Sequence, residues 1–218
     1  DAEGKVAAQK KGDKLLFTLN AFDVLNLETG DFGADFTGSR VDADRPVVVF
    51  AGSEASDVPN VPDLSVRRCC PDHLAHQLFP ITTLGKTFIA LKTPSRTRAL
   101  YGAGANITPN DKEKEYFRIL TAGEAINVTT NLPSPKDKLQ VPDPKDLTKP
   151  FIQIETDRDF TIQATGPVVV GQFVAGQQQA GIPSSLPGGD PSFILLPSVE
   201  QFRKEYLFLT PDKYAFDF

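Results

Sequence analysis

Val41-Asp42-Ala43-Asp44-Arg45-Pro46-Val47-Val48-Val49-Phe50 and Ile162-Gln163-Ala164-Thr165-Gly166-Pro167-Val168-Val169-Val170 say nearly the same thing twice. In each, apolar and polar residues alternate, a turn-forming pair and a proline follow, and a run of β-branched residues comes next. Alternation marks a strand with one wet face, and an unbroken Val run marks a strand covered on both sides. Proline fixes φ and gives up its N–H, which suits the first residue of a second strand. The pattern predicts a β-hairpin feeding a central strand, in two copies.

The echo extends outward. Leu25-Asn26-Leu27-Glu28-Thr29 matches Ile152-Gln153-Ile154-Glu155-Thr156. The series Asp72, Pro80, Phe88 to Leu91 matches Asp190, Pro197, Tyr206 to Leu209. Short alternating runs separated by Gly and Pro predict an all-β, antiparallel fold of tandem duplicated β-sandwich-like modules, with propeller-like blades as the alternative. The expected division is a flexible lead-in at 1–14, a first β repeat at 15–94 and a second at 95–211, with a further, truncated repeat starting at 212–218. The chain has no Met and stops inside a strand-like run, so it reads as a segment of a longer protein.

Composition fits that class. Eighteen Pro, 16 Gly and 16 Phe among 218 residues favour short strands and turns over helices. A net charge of −5 gives no basic footprint for nucleic acid. No apolar run approaches the roughly 20 residues of a membrane helix.

Several expectations follow from taking the chain in order. Leu15 to Thr29 holds one or two strands, 51–68 is an exposed loop, and Asp72 caps a helical turn that Pro80 closes. Strands follow at 87–92, 116–120, 125–129, 151–155, 160–164, 193–196 and 206–210. The segments 93–114 and 133–150 are loops, the second with polyproline character.

Candidate chemistry concentrates near Cys69-Cys70-Pro71-Asp72-His73-Leu74-Ala75-His76. Thiolate and imidazole suit zinc, and His73 and His76 share a face if the segment is helical. Against this, no second cluster completes a tetrahedral site, and the matching position keeps a carboxylate, Asp190, without either histidine. Asp72, His73 and Asp190 are therefore structural turn or cap residues, and no metal or cofactor is expected. A hydrolase centred on Cys70 and His73 is a weaker alternative, because no Gly-x-Ser-x-Gly element accompanies them. Asp42 with Asp44, and Asp157 with Asp159, sit in turns where Asp is common, with weak calcium binding as the other reading. Gly102 to Asn106 reads as a loop, and Asn106 and Asn127 are formal glycosylation acceptors. Adjacent Cys69 and Cys70 form either a strained ring disulfide or two free thiols.

The central segments resemble the IgGFc-binding protein N-terminal domain family. The resemblance rests on the turn, proline and Val run ending in Phe50 and Gly52-Ser53, then Cys70 to Leu74, Gln77-Leu78-Phe79-Pro80, and Thr83-Leu84-Gly85-Lys86-Thr87-Phe88. Tyr116 to Leu120, Gly166 to Phe173 and Gly189-Asp190-Pro191 look like its later landmarks, so it covers about residues 15–211. Leu84 departs from the pattern, which commonly has an aromatic there.

The resemblance implies an extracellular or cell-surface, non-enzymatic structural or adhesive module of a larger repeat protein. Its implied partners are neighbouring repeats and protein or glycan ligands. A specific protein-binding module, for immunoglobulin Fc among others, is the alternative, with loops 51–71 and 174–190 as contact surface. No Fc-contacting residue carries over. The implied export favours the Cys69–Cys70 ring disulfide.

Overall fold

The structure, a computed structural model, describes residues 6–68, 70–146 and 148–209. It is all-β and antiparallel. The strands are β1 (Phe50–Ser56), β2 (Asp72–Gln77), β3 (Gly85–Ala90), β4 (Glu115–Thr121), β5 (Ile126–Thr130), β6 (Lys138–Val141), β7 (Ile152–Thr156), β8 (Phe160–Val174) and β9 (Ser192–Leu195). One short helix, α1 (Arg96–Gly102), follows β3. β1 and β2 form a two-stranded ribbon; the other seven strands form one sheet in the order β6-β5-β8-β4-β7, with β3 and β9 also on β8.

β8 organises the sheet, and it is not the hairpin expected from the sequence. Residues 160–174 run as one strand through Gly166-Pro167. Its first part, Phe160 to Ala164, pairs with β3 and β5. Its second part, Val168 to Val174, pairs with β4, and Gly171 to Val174 pairs with β9. Thr165, Gly166 and Pro167 fall between the two registers and have no ladder partner, so a residue lacking an N–H sits there without loss. The turn signal marks a change of partners within one strand.

Alternation along β8 holds from Phe160 to Val170 and ends at Gly171 and Gln172, which are both buried. Phe160, Ile162, Val168 and Val170 are buried with Phe88, Phe117, Ile119, Val128 and Ile154 in the main core. Phe117 and Phe160 meet edge to face at 4.9 Å between ring centres. Packing of this kind adds about 1 kcal/mol to the burial of the rings.

Several other expectations are corrected. Leu15 to Thr29 and Val41 to Val49 contain no strand, and neither do the described residues 206–209. Their alternation lacks a neighbouring strand to complete a ladder, and a strand without partners has no fixed backbone hydrogen bonds. Leu16, Phe22 and Leu207 are accordingly open to solvent, each at least 96% exposed. Residues 72–77 form β2, not a helical turn, because β1 offers them a ladder from Phe50↔Gln77 to Ser56↔Asp72. The loops at 93–114 and 133–150 contain α1 and β6 respectively. Residues 212–218 lie outside the described part of the chain.

The arm before β1 is tied down at one place. Arg118 Nη1 donates to Asp35 Oδ2 at 2.8 Å and to Thr37 Oγ1 at 3.2 Å, while its guanidinium stacks over Phe151 and Phe173. Gly38, at φ +95°, lies so close that a side chain there would meet Pro150 Cβ at 2.7 Å. Burial pushes the Asp35 carboxyl up, but hydrogen bonds from Thr37 and the charge of Arg118 outweigh it and hold the group below its ordinary value.

Candidate functional site

Of the segment 51–71 expected as an exposed loop, residues 51–56 belong to β1, and the part that follows meets the 174–190 loop in space. Gly176 N–H donates to Val58 O at 3.2 Å. Beneath this junction Val58, Leu74 and Ala175 form a second apolar cluster with Tyr116, Phe173 and Phe193 packed against it. Phe173 and Phe193 stack at 4.6 Å. The cluster joins the β1–β2 ribbon to the main sheet and supports the loops above it.

Each loop is stiffened from within. In the first, Arg67 grips the buried Asp57 carboxylate through Nε at 2.9 Å and Nη2 at 2.7 Å, closing the base of the excursion. Asp63 caps the 3-10 turn Leu64–Val66 by accepting from Ser65 N at 2.8 Å. In the second, Gln177 Oε1 accepts from Gly188 N at 2.9 Å and its amide donates to Pro183 O at 3.3 Å. Gly188 has no room for a side chain: a Cβ would sit 2.6 Å from Gln177 Cβ and 2.8 Å from Ile182 Cγ2.

A buried polar network fixes the second loop to α1 and β4. Glu113 Oε1 accepts from Thr97 N at 2.9 Å, Thr97 Oγ1 at 3.0 Å and Ser95 Oγ at 3.1 Å; Oε2 accepts from Arg96 Nε at 3.2 Å. Arg96 Nη1 continues to the carbonyls of Ala175 at 2.9 Å and Gly188 at 3.1 Å. Burial alone pushes Glu113 up, yet the bonds from Thr97 and the Arg96 guanidinium hold it below the usual carboxylate range. Two residues on, buried Glu115 accepts from Thr93 N at 2.8 Å and from Gln172. Neither carboxylate was singled out from the sequence. Ser95 as a helix cap after Pro94 was the available signal, since its Oγ accepts from Arg98 N at 3.1 Å.

Between the loops and the start of β4 lies an open cleft of about 500 Å3. Pro59, Val61, Val66 and Tyr116 give it apolar walls; Arg68, Lys112, Lys114, Asn60 and Gln179 supply polar groups. Its volume falls in the range of small-ligand and side-chain pockets, about 300–1,000 Å3. The only carboxylate lining it is Glu113, which the internal network already occupies. Lys114 is paired with Glu155, whereas Arg68 and Lys112 have no ion pair among the described residues. Burial first, and then the charge of Glu155, raises the Tyr116 phenol above its ordinary value, so it stays protonated as an aromatic wall.

Asp72, His73 and Asp190, expected in structural roles, do not line this cleft. Asp72 opens β2 and its Oδ1 accepts from His73 N at 2.7 Å, a local turn bond. His73 is exposed, and His76 is packed edge-on between Phe79 and Phe193 with Nδ1 2.7 Å from Gln77 O. A strand sends residues three apart to opposite faces, so the shared face that a helix would have given the two histidines does not exist. No cluster of three or more potential metal ligands occurs among the described residues. Asp190 is exposed ahead of β9, with no side-chain hydrogen bond among the described residues. Cys69 lies outside the described residues, so the ring disulfide to Cys70 is taken up below as a proposal.

No helix among the described residues is long and apolar enough to cross a membrane. No curated protein and no solved structure matches the chain significantly. The family model described as IgGFc binding protein matches residues 1–217, from the arm through both loops of the cleft, and the chain belongs to the IgGFc-binding protein family.

Proposed function

We propose that the chain is an extracellular, non-enzymatic protein-binding module of a larger adhesive or structural protein, and that it holds its partner at the cleft between the 57–71 and 175–191 loops. The observation carrying this reading is the joint itself. Two segments more than a hundred residues apart are clamped together over one apolar cluster, each with its own internal ties, and an open cleft is left between them. Loops held rigidly on a sheet bind with little ordering cost. Family membership supports protein binding as the class of activity.

Contact with neighbouring modules of the same protein is the second part of the proposal. Among the described residues β1 pairs only with β2; its first residue Phe50 and the preceding Val47 and Val48 are exposed, as are Tyr206 to Leu209. Contiguous apolar surface of this kind marks interaction sites. A strand edge and an unpaired strand-prone segment in one chain fit head-to-tail addition.

Surface plasmon resonance on the immobilised chain tests both parts. Saturable binding of immunoglobulin Fc, lost in Asn60→Trp, supports the cleft as a partner site. Saturable binding of a second copy of the chain, unaffected by Asn60→Trp, supports the stacking surface. Absence of both defeats the proposal.

A further inference from the structure

Resting on the cleft reading above, we infer that the partner segment is an acidic peptide, with one carboxylate held between Arg68 and Lys112 and an apolar neighbour against Val61, Val66 and Tyr116. The whole chain carries a net charge of −5, yet the cleft is lined by three cations and a single carboxylate. That carboxylate, Glu113, spends both oxygens on Thr97, Ser95 and Arg96, so it cannot neutralise anything entering from solvent. Lys114 is offset by Glu155. Two charges remain without an ion pair among the described residues, Arg68 on the first loop and Lys112 on the turn before β4. Long cationic side chains on a surface usually find a carboxylate in an acidic protein; here Asp57 and Asp111 are taken by Arg67 and Arg98.

The rest of the lining completes the preference. The Asn60 and Gln179 side-chain amides line the cleft and make no hydrogen bond among the described residues, which leaves them free to meet a peptide backbone. Val61, Val66 and the protonated Tyr116 ring form the apolar side. A planar guanidinium beside an ammonium favours a carboxylate over a neutral amide. The walls want an aliphatic side chain next to it, which an acidic peptide supplies and an inorganic anion does not.

The test uses the full chain and two capped pentapeptides, one with two glutamates around a leucine and one with glutamines in their place, read by isothermal titration. Saturable binding of the glutamate peptide is expected, at least about tenfold weaker for the glutamine peptide and for the R68Q/K112Q double variant, and weakened several-fold as salt rises from about 50 mM to about 500 mM. Both replaced side chains are exposed and unpaired, so the urea midpoint of R68Q/K112Q should match the parent and show that the fold is intact.

Equal binding of the two peptides, unchanged binding by R68Q/K112Q, or no saturable binding overturns the inference. So does binding of a sialylated oligosaccharide in place of the peptide. Its failure can be told from failure of the cleft reading. Partner capture blocked by Asn60→Trp but not by R68Q/K112Q removes only the acidic specificity. Capture indifferent to both removes the site.

Discussion

Replacing Arg96 by Ala should release the 175–188 loop from the sheet. The guanidinium makes three bonds: one to the Glu113 carboxylate and one each to the carbonyls of Ala175 and Gly188. A hydrogen bond between charged groups contributes about 1.5–3 kcal/mol and each carbonyl bond about 1 kcal/mol. The Arg96 side chain is 20% exposed, so water recovers part of this. The expected cost is about 3 kcal/mol, at the lower end for breaking a buried pair. With a urea m-value of about 2 kcal/mol/M, the midpoint should fall by about 1.5 M. Arg96→Lys keeps a charge near Glu113 but cannot fork to both carbonyls, so it should recover about a third of the loss.

A double-mutant cycle isolates the pair. Glu113→Gln retains an acceptor for Thr97 and Ser95 but turns donors toward Arg96, so its cost overlaps with that of Arg96→Ala. A coupling of about 1–2 kcal/mol is expected. Hydrogen exchange adds a local readout: in Arg96→Ala the amides of Ile182 and Gly188 should exchange faster, while that of Ile119 in the core should not. A cost below about 1 kcal/mol, or strictly additive single variants, would refute the idea that this guanidinium holds the loop.

Other outcomes follow from the same coordinates. Phe117→Ala empties a fully buried site against Phe160 and should cost about 3–5 kcal/mol in urea unfolding. Gly188→Ala inserts a methyl where Gln177 and Ile182 leave no space, and a loss of about 1–3 kcal/mol is expected. Glu113 and Asp35 both titrate below their ordinary values, so their contribution to stability is whole above the unfolded carboxylate value, about pH 4, and is lost as pH falls through the lower folded values. Urea midpoints should stay level from about pH 7 to 5 and drop below about pH 4, less steeply in Glu113→Gln. We propose that Cys69 and Cys70 are joined as a ring disulfide; two alkylatable thiols in the unreduced native protein, read by mass spectrometry, would disprove it.

Much of the sheet was legible because its strands carry their own period. Phe117 and Ile119 are buried between half-buried neighbours in β4, and Ile152 and Ile154 are buried on either side of exposed Gln153 in β7. Gly166-Pro167 misled because turn chemistry is local, whereas the exchange of β3 and β5 for β4 and β9 across β8 is set by distant strands. At Asp72 the competing signals were both present. A capping residue before an apolar run argues for a helix, but Leu74, His76 and Leu78 turn inward at period two while Ala75 and Gln77 stay out, and the ladder to β1 decides in favour of the strand. The loop character of 57–68 and 175–191 was readable from their Gly, Pro, Ser and Asp content, but the strand at 51–56 was not. Arg96 and Glu113 could not be paired, because no periodicity links residues brought together by a helix and a loop.

The buried carboxylates around the cleft serve the fold, while the cations that line it are exposed. Glu113 and Glu115 are buried and accept hydrogen bonds from Thr97, Ser95, Arg96, Thr93 and Gln172. Arg68 and Lys112 line the cleft without an ion pair among the described residues, placed to attract and orient an anion. The network therefore spends its titratable residues on keeping two loops in place and presents fixed charge and apolar wall to whatever binds. If the loops are loosened by Arg96→Ala while Arg68 and Lys112 remain, affinity for an acidic peptide should fall mainly through faster dissociation, because the steering charges are untouched and only the rigidity of their platform is lost.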